Sequence, residues 1–338
     1  MAQDYKLVQW TPYKKAFDTV LAIGVAAFVA AFVASALTAF PGERPLLVQI
    51  LIRAFGAAAL ALLTFILMIG PLARLSTRFL PILYNRRHLG VVCFGLALAH
   101  AALVLVWYHG FSDINPLVSL LTSNPRYASL QGFPFESLGL IALLILFVMA
   151  ATSHDFWNAN LGPVLWKAIH MSVYWGYALI VAHVMLGAVQ GQKGLAYALI
   201  VGAGAVSVAL LHGLAGRREV RFDLEAATPD PEGWLRVGLP DDIEDGRAKI
   251  VAVPDGERIA VFRDGESLYA VSNLCAHQGG PLGEGRVLDG CVTCPWHGFQ
   301  FRLTDGRAPA PYTDRVATYA TRLLNGVIYV RKTPEAAA

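Results

Sequence analysis

The sequence predicts two unlike halves: an α-helical membrane bundle of six transmembrane helices, then a small all-β domain. Three observations predict it. Six apolar stretches precede residue 216, each long enough, or nearly so, to cross about 30 Å of hydrocarbon as a helix. The chain of 338 residues is 15% charged with a mean hydropathy of +0.51, which excludes a wholly soluble protein and, with apolar residues so plentiful, a disordered one. Residues 1–216 carry 12 Lys+Arg against 6 Asp+Glu, whereas residues 217–338 carry 15 against 18, so the charge changes sign where the apolar stretches end.

The stretches lie near 16–40, 47–72, 89–109, 136–152, 164–189 and 194–215. The first is too long for a signal-peptide core and no small-residue cleavage site follows it, so it is expected as a retained helix. The domains expected are 1–216 for the membrane part, a polar linker over 217–233, the all-β part over 234–333, and a tail over 334–338. Six crossings put both termini on one side. That side holds Lys6, Lys14, Lys15, Arg74, Arg78, Arg86, Arg87, Lys167, Arg217 and Arg218; the other holds Arg44, Arg53, Arg126 and Lys193. The excess of cations marks the first side, with the soluble domain, as cytoplasmic in an inner (cytoplasmic) membrane.

Ionisable groups in hydrocarbon are costly and are functional candidates by default. His88 and His100 fall at the third stretch, His170 and His183 at the fifth. Both stretches run outward from the cytoplasm, so depth pairs His100 with His183 and His88 with His170. A neutral imidazole is a good axial ligand for haem iron, so matched pairs on two helices can hold b-type haem, one or two groups. The competing reading is hydrogen bonding across helices. His88 is turned about 120° from His100 on an ideal helix. His109 and His154, at helix ends or in loops, are expected as ordinary polar residues, and Cys93 as a small buried side chain.

Gly70-Pro-Leu-Ala-Arg74, Arg86-Arg87-His88-Leu-Gly90 with His100, and Trp166-Lys-Ala-Ile-His170 with His183 resemble the ferric-reductase-like transmembrane domain. The pattern is similar to the haem-binding membrane subunit of the periplasmic methionine-sulfoxide reductase system. The resemblance implies His100, His170 and His183 as haem ligands; His88 stands at a position that need not be histidine in that subunit and is a candidate from its depth alone. It also matches Arg53 to an arginine of the second helix, where a guanidinium can pair with a haem propionate or snorkel to the interface.

Beyond residue 233 the pattern shifts to short apolar runs such as Ile250–Val253 and Gly326–Val330. These are separated by Asp255-Gly256, Asp264-Gly265, Asp289-Gly290 and Asp305-Gly306, which are hairpin signals. Within this part, Cys275-Ala-His277 is followed by Cys294-Pro-Trp-His297. Each element offers one thiolate and one imidazole. Two such loops can clamp a [2Fe–2S] cluster, with both cysteines on one iron and both histidines on the other. A Cys₂His₂ zinc site is the alternative.

The flanks Gly279-Gly280-Pro281-Leu282 and Cys294-Pro-Trp-His-Gly298 with Phe299 and Phe301 resemble the Rieske iron–sulfur domain, over residues 234–332. The resemblance implies a Rieske [2Fe–2S] cluster on Cys275, His277, Cys294 and His297. Rieske proteins of quinol-oxidising complexes carry a disulfide between the loops and a serine after the second ligand histidine; Gly279, Trp296 and Phe299 stand at those positions. The domain is therefore similar to dioxygenase ferredoxins, with an expected potential of about −150 mV. Cys291 is expected to pack at a strand end.

Together the halves suggest a membrane electron-transfer protein passing single electrons between the cluster and intramembrane haem b, as part of a reductase system. No flavin or nicotinamide fingerprint is present. The glycines Gly202 and Gly204 lie inside an apolar stretch, so a separate flavin/NAD(P)H reductase, or else quinol, is implied as donor. The acceptor is an unidentified redox group, the lipid bilayer is a partner, and nucleic acid is not. No histidine follows His297, so a two-histidine, one-carboxylate oxygenase iron is not expected there. The alternatives are a membrane-anchored Rieske ferredoxin without haem, serving a cytoplasmic oxygenase or reductase, and a redox sensor or assembly factor.

Overall fold

The computed structural model describes residues 12–39, 46–83, 85–130, 132–153, 155–190, 195–226, 228–254, 256–277, 279–296, 298–310 and 312–335. Of the residues singled out from the sequence, Lys6, Arg44, His154, Lys193, Asp255 and His297 lie outside these. The described residues form two compact units, one drawn from 1–69 and 85–210, the other from 70–84 and 211–338.

The first part of the chain is helical: α1 (Pro12–Ala39), α2 (Leu47–Leu75), α3 (Arg86–Val104), α4 (Phe135–Ala151), α5 (Asp155–Met171), α6 (Val173–Gln190) and α7 (Leu195–Leu224). Apolar runs of this length are helical because a helix satisfies its own backbone groups where water is absent. Among the described residues five segments are long and apolar enough to cross a membrane: Lys14–Thr38, Leu47–Leu75, Arg86–His109, Leu165–Gly187 and Tyr197–Leu224. A sixth, Phe135–Ala151, is apolar and shorter, at 17 residues. All six predicted stretches thus fall on helix. The fifth is broken at Ser172, whose Oγ and N–H both donate to the Ile169 carbonyl, at 2.6 and 3.1 Å. That i−3 pairing by a serine competes with the regular ladder.

Within the first unit α2 is the most enclosed helix, burying Ile50, Ala54, Ala58, Leu63 and Ile69. Small side chains let backbones come close, and polar contacts join the helices. Cys93 donates to the Ala59 carbonyl at 3.4 Å, and the Thr64 and Tyr177 hydroxyls meet at 3.1 Å. Past α3 the chain makes a π turn over Leu105–His109, and His109 Nδ1 meets Ser119 Oγ at 3.0 Å.

The stretch expected as a linker is helical through Leu224. Its residues, Arg217 to Leu224, include neither Gly nor Pro, so nothing ends α7 earlier. Arg258, from the β part, clamps this end of α7. Its guanidinium donates to Asp223 Oδ1 and Oδ2 at 2.7 and 2.9 Å, pairs with Glu219, and lies 4.9 Å from the Phe222 ring centre.

The second unit is built on antiparallel strands: β1 (Trp234–Gly238), β2 (Ala248–Val251), β3 (Ile259–Asp264), β4 (Ser267–Ser272), β5 (Arg286–Leu288), β6 (Cys291–Thr293), β7 (Gln300–Arg302), β8 (Thr318–Tyr319), β9 (Thr321–Leu324) and β10 (Val327–Arg331). They form three sheets, ordered β1-β10-β9, β2-β3-β4-β8 and β5-β6-β7. Strand β3 is buried on both faces, which explains its unbroken apolar run. Ala260 and Phe262 enter one core with Val271, Leu282, Val292, Phe301 and the two loop cysteines; Ile259 and Val261 enter another with Leu235, Ile328 and Val330. Asp289 and Gly290, at φ 51° and 71°, join β5 to β6 by a two-residue turn, the geometry Asp-Gly favours in hairpins.

Candidate redox centres

The two Cys/His loops are copies of one turn. In the first, Cys275 N–H donates to the Gly280 carbonyl at 2.8 Å and Gly279 N–H to the Cys275 carbonyl at 2.7 Å. In the second, Cys294 N–H donates to the Phe299 carbonyl at 2.8 Å and Gly298 N–H to the Cys294 carbonyl at 2.9 Å. Each turn closes on a glycine in the left-handed region, Gly279 at φ 72° and Gly298 at φ 73°, where a side chain would be strained. Both cysteines are buried, at 2% exposure, and belong to the same core. The loops meet at Gly280: a Cβ there would stand 2.8 Å from Cys294 Sγ.

The His277 imidazole lies parallel to the Phe299 ring, 4.8 Å away. Among the described residues no three His, Cys, Asp or Glu side chains cluster as ligands of a single ion. A binuclear cluster needs no such convergence, because its cysteine pair and histidine pair sit on different irons. Cys275 and His277 lie on one loop and Cys294 on the other, with both cysteines in the same core. Cys291 starts β6 and is half-buried; burial pushes its thiol up, so it is a poor thiolate.

The membrane histidines fall into two kinds. His100 Nδ1 meets the Ile52 carbonyl of α2 at 2.8 Å, and His183 Nδ1 meets the Phe135 carbonyl of α4 at 2.8 Å. A carbonyl only accepts, so each Nδ1 carries the proton and each Nε2 of the neutral ring keeps its lone pair. That second-sphere bond is what fixes the orientation of a metal-binding imidazole. The two rings lie 6.3 Å apart, at 81°. Two metal–nitrogen bonds of about 2 Å, with the ring radii, require a centre separation of about 6 Å for imidazoles on either side of one iron. Glycines make the room. A Cβ on Gly56 would stand 3.0 Å from His100 Nδ1, and one on Gly139 2.8 Å from His183 Nδ1.

His170 follows the same protonation pattern, with Nδ1 at 3.0 Å from the Trp166 carbonyl. Its ring stacks on Trp166, with 3.7 Å between ring centres. His88 pairs through Nδ1 with Asp18 of α1 at 2.7 Å. Arg53 is exposed on α2. Sequence reasoning missed Asp18, Gly56 and Gly139, since no motif marks a residue that only makes room for a ring or pairs with it.

Residues 233–320 match the Rieske [2Fe-2S] domain, and residues 55–181 match the ferric reductase like transmembrane component. The chain is 42% identical over 101 residues to the anthranilate 1,2-dioxygenase ferredoxin subunit of Burkholderia cepacia, covering 29% of this chain and 90% of that subunit. It is 30% identical over 98 residues to ferredoxin CarAc of Metapseudomonas resinovorans, covering 29% and 92%. Over 107 residues it is 36% identical to cholesterol 7-desaturase nvd 1 of Ciona intestinalis, covering 31% of this chain but only 22% of the desaturase. Among solved structures, the ferredoxin of carbazole 1,9a-dioxygenase from Nocardioides aromaticivorans is similar at 30% identity, 30% and 98% coverage and a TM-score of 0.28.

The class defined is that of membrane-integral electron-transfer proteins. In particular, the chain belongs to the Rieske [2Fe–2S] family and carries a ferric-reductase-like transmembrane component ahead of its Rieske domain.

Proposed function

We propose that this protein passes single electrons between a Rieske [2Fe–2S] cluster and haem b within the membrane. In this reading Cys275 and Cys294 hold one iron of the cluster, and His277 and His297 the other. His100 and His183 hold one haem b, His170 is a ligand of a second, and Arg53 is a propionate partner. When bound, both groups supply one-electron couples and no proton or bond chemistry.

The chain's own residues supply the rest. Burial of Cys275 and Cys294 keeps water from the thiolates. The neutral imidazole of His277 leaves less negative charge on the cluster than a thiolate would, which raises the potential. The Ile52 and Phe135 carbonyls hold the His100 and His183 tautomers with Nε2 free to bind. The basic residues concentrated between the apolar stretches on the N-terminal side support the reading that this side, with the Rieske domain, faces the cytoplasm. The electron donor is then a separate soluble flavin/NAD(P)H reductase, in keeping with a domain similar to dioxygenase ferredoxins.

The observation that carries this reading is the His100–His183 pair, 6.3 Å apart with both Nδ1 atoms anchored. The test is a stopped-flow reduction of the full-length protein by NADPH and a soluble flavoprotein reductase. Haem bands are expected to reduce in the parent and to stay oxidised in Cys294→Ser, which removes a cluster ligand. Equal haem reduction in both would overturn the order of carriers.

A further inference from the structure

The two flanks of the Cys/His loops differ. On one side Gly279, Pro281 and Trp296 line a cavity of about 430 Å³ shared with Arg74 of α2 and Phe222 of α7. Arg258, which also lines it, pairs with Glu219 and Asp223. That flank thus faces other parts of the same chain. On the other side a line of aromatic contacts leads outward. Phe299 lies on His277, 4.8 Å between ring centres and 5° between planes. Tyr312 meets Phe299 edge-on, at 4.8 Å and 61°. Phe299 packs against the core that holds Cys275 and Cys294, whereas Tyr312 is 56% exposed. Tyr312 thus carries the line of ring contacts from His277 to the protein surface.

We propose that Phe299 and Tyr312 form the electron port of the Rieske domain, the route by which a soluble flavoprotein reductase delivers single electrons. The proposal rests on His277 being a cluster ligand. In each delivery the donor flavin loses one electron and the cluster gains one, and no covalent bond is exchanged between them. Phe299 and Tyr312 are positioning residues: they neither bind iron nor change redox state. The Trp296 flank faces Arg74 and Phe222 of this chain across the cavity, whereas Tyr312 faces outward.

The test uses the full-length protein carrying Cys291→Ser, so that an added surface cysteine takes the label. A ruthenium tris(bipyridine) photosensitiser is attached at Thr313→Cys, beside the port, or at Leu324→Cys, on the β9–β10 hairpin. A flash then drives one electron from the excited ruthenium to the cluster. Cluster reduction is followed optically, and the cluster's electron paramagnetic resonance spectrum is recorded for every variant. Adding Phe299→Leu is expected to slow injection from 313 by about tenfold while the rate from 324 is unchanged. Tyr312→Leu, which leaves the cluster core alone, is expected to give the same slowing, and Phe299→Tyr to restore the parent rate. Unchanged injection from 313 in both leucine variants, or equal slowing from 313 and 324, overturns the port. No cluster spectrum in the unlabelled parent overturns instead the ligand assignment on which the port rests.

Discussion

The His100 and His183 rings lie 6.3 Å apart, and a glycine stands behind each where any larger residue would push it. A Cβ at residue 139 would sit 2.8 Å from His183 Nδ1, closer than real contacts allow. Gly139→Ala is therefore expected to displace the ring and lower haem content by about half or more, although alanine favours the helix by roughly 1 kcal/mol. Gly95→Ala, facing open space, is the control and is expected to keep full haem. Pyridine haemochrome assay per milligram of protein reads both.

His88 is expected to separate from His100 and His183 on mutation. His100→Ala and His183→Ala each remove an axial ligand and are expected to abolish the haem they share. His88→Gln is expected to keep it, because His88 is engaged with Asp18 at 2.7 Å. Haem quantification alongside the far-ultraviolet circular dichroism of each variant distinguishes ligand loss from unfolding.

The cluster loops are equally intolerant at Gly280, where a methyl group would stand 2.8 Å from Cys294 Sγ and 3.1 Å from the Trp296 ring. Gly280→Ala is expected to lose most of its acid-labile sulfide and non-haem iron while retaining haem. Overpacking of this kind costs about 1–3 kcal/mol. Iron and sulfide analysis of the purified variant checks it; full cluster content would show that the loops have room the structure does not give them.

Glu284 gives a pH signature. Burial, and then the Glu219 carboxylate, push its pKa from 4.5 up to about 7, against the pull of Arg74 and Arg258. The folded state thus holds a proton that the unfolded state has released between these values. Unfolding releases protons in that window, so stability falls as pH rises from about 4.5 to about 7 and levels off above it. Glu284→Gln is expected to flatten that fall. Chemical denaturation of both forms at about pH 5 and pH 8 compares them, and identical pH slopes would contradict it.

Much of this was legible in the sequence because each half carries a strong local signal. Six apolar runs mapped onto helix, since hydrocarbon leaves the backbone no other solution. The Cys275/His277 and Cys294/His297 spacing pointed to paired loops, and the described residues there carry a duplicated turn closing on Gly279 and Gly298. Matching depth pointed to His100 and His183, and the rings do come together. Other features depend on tertiary contact and leave no spacing to read. His88 turns to Asp18, 70 residues earlier in the chain. Residues 217–224 extend α7 because Arg258 holds Glu219 and Asp223 from 35 to 39 residues away. A polar run with no distant partner in view reads as linker. Phe299 was visible only as a flank of the Cys/His motif; its stacking on His277 needed the fold.

The most direct measurement is the reduced-minus-oxidised visible spectrum of the purified full-length protein, with haem counted per chain. Sharp b-type bands at one or two haems per chain, over the broad Rieske absorption, are the result expected of an electron carrier with both centres. Rieske absorption alone, with no haem bands in material prepared with haem supplied, would contradict it and leave a membrane-anchored ferredoxin.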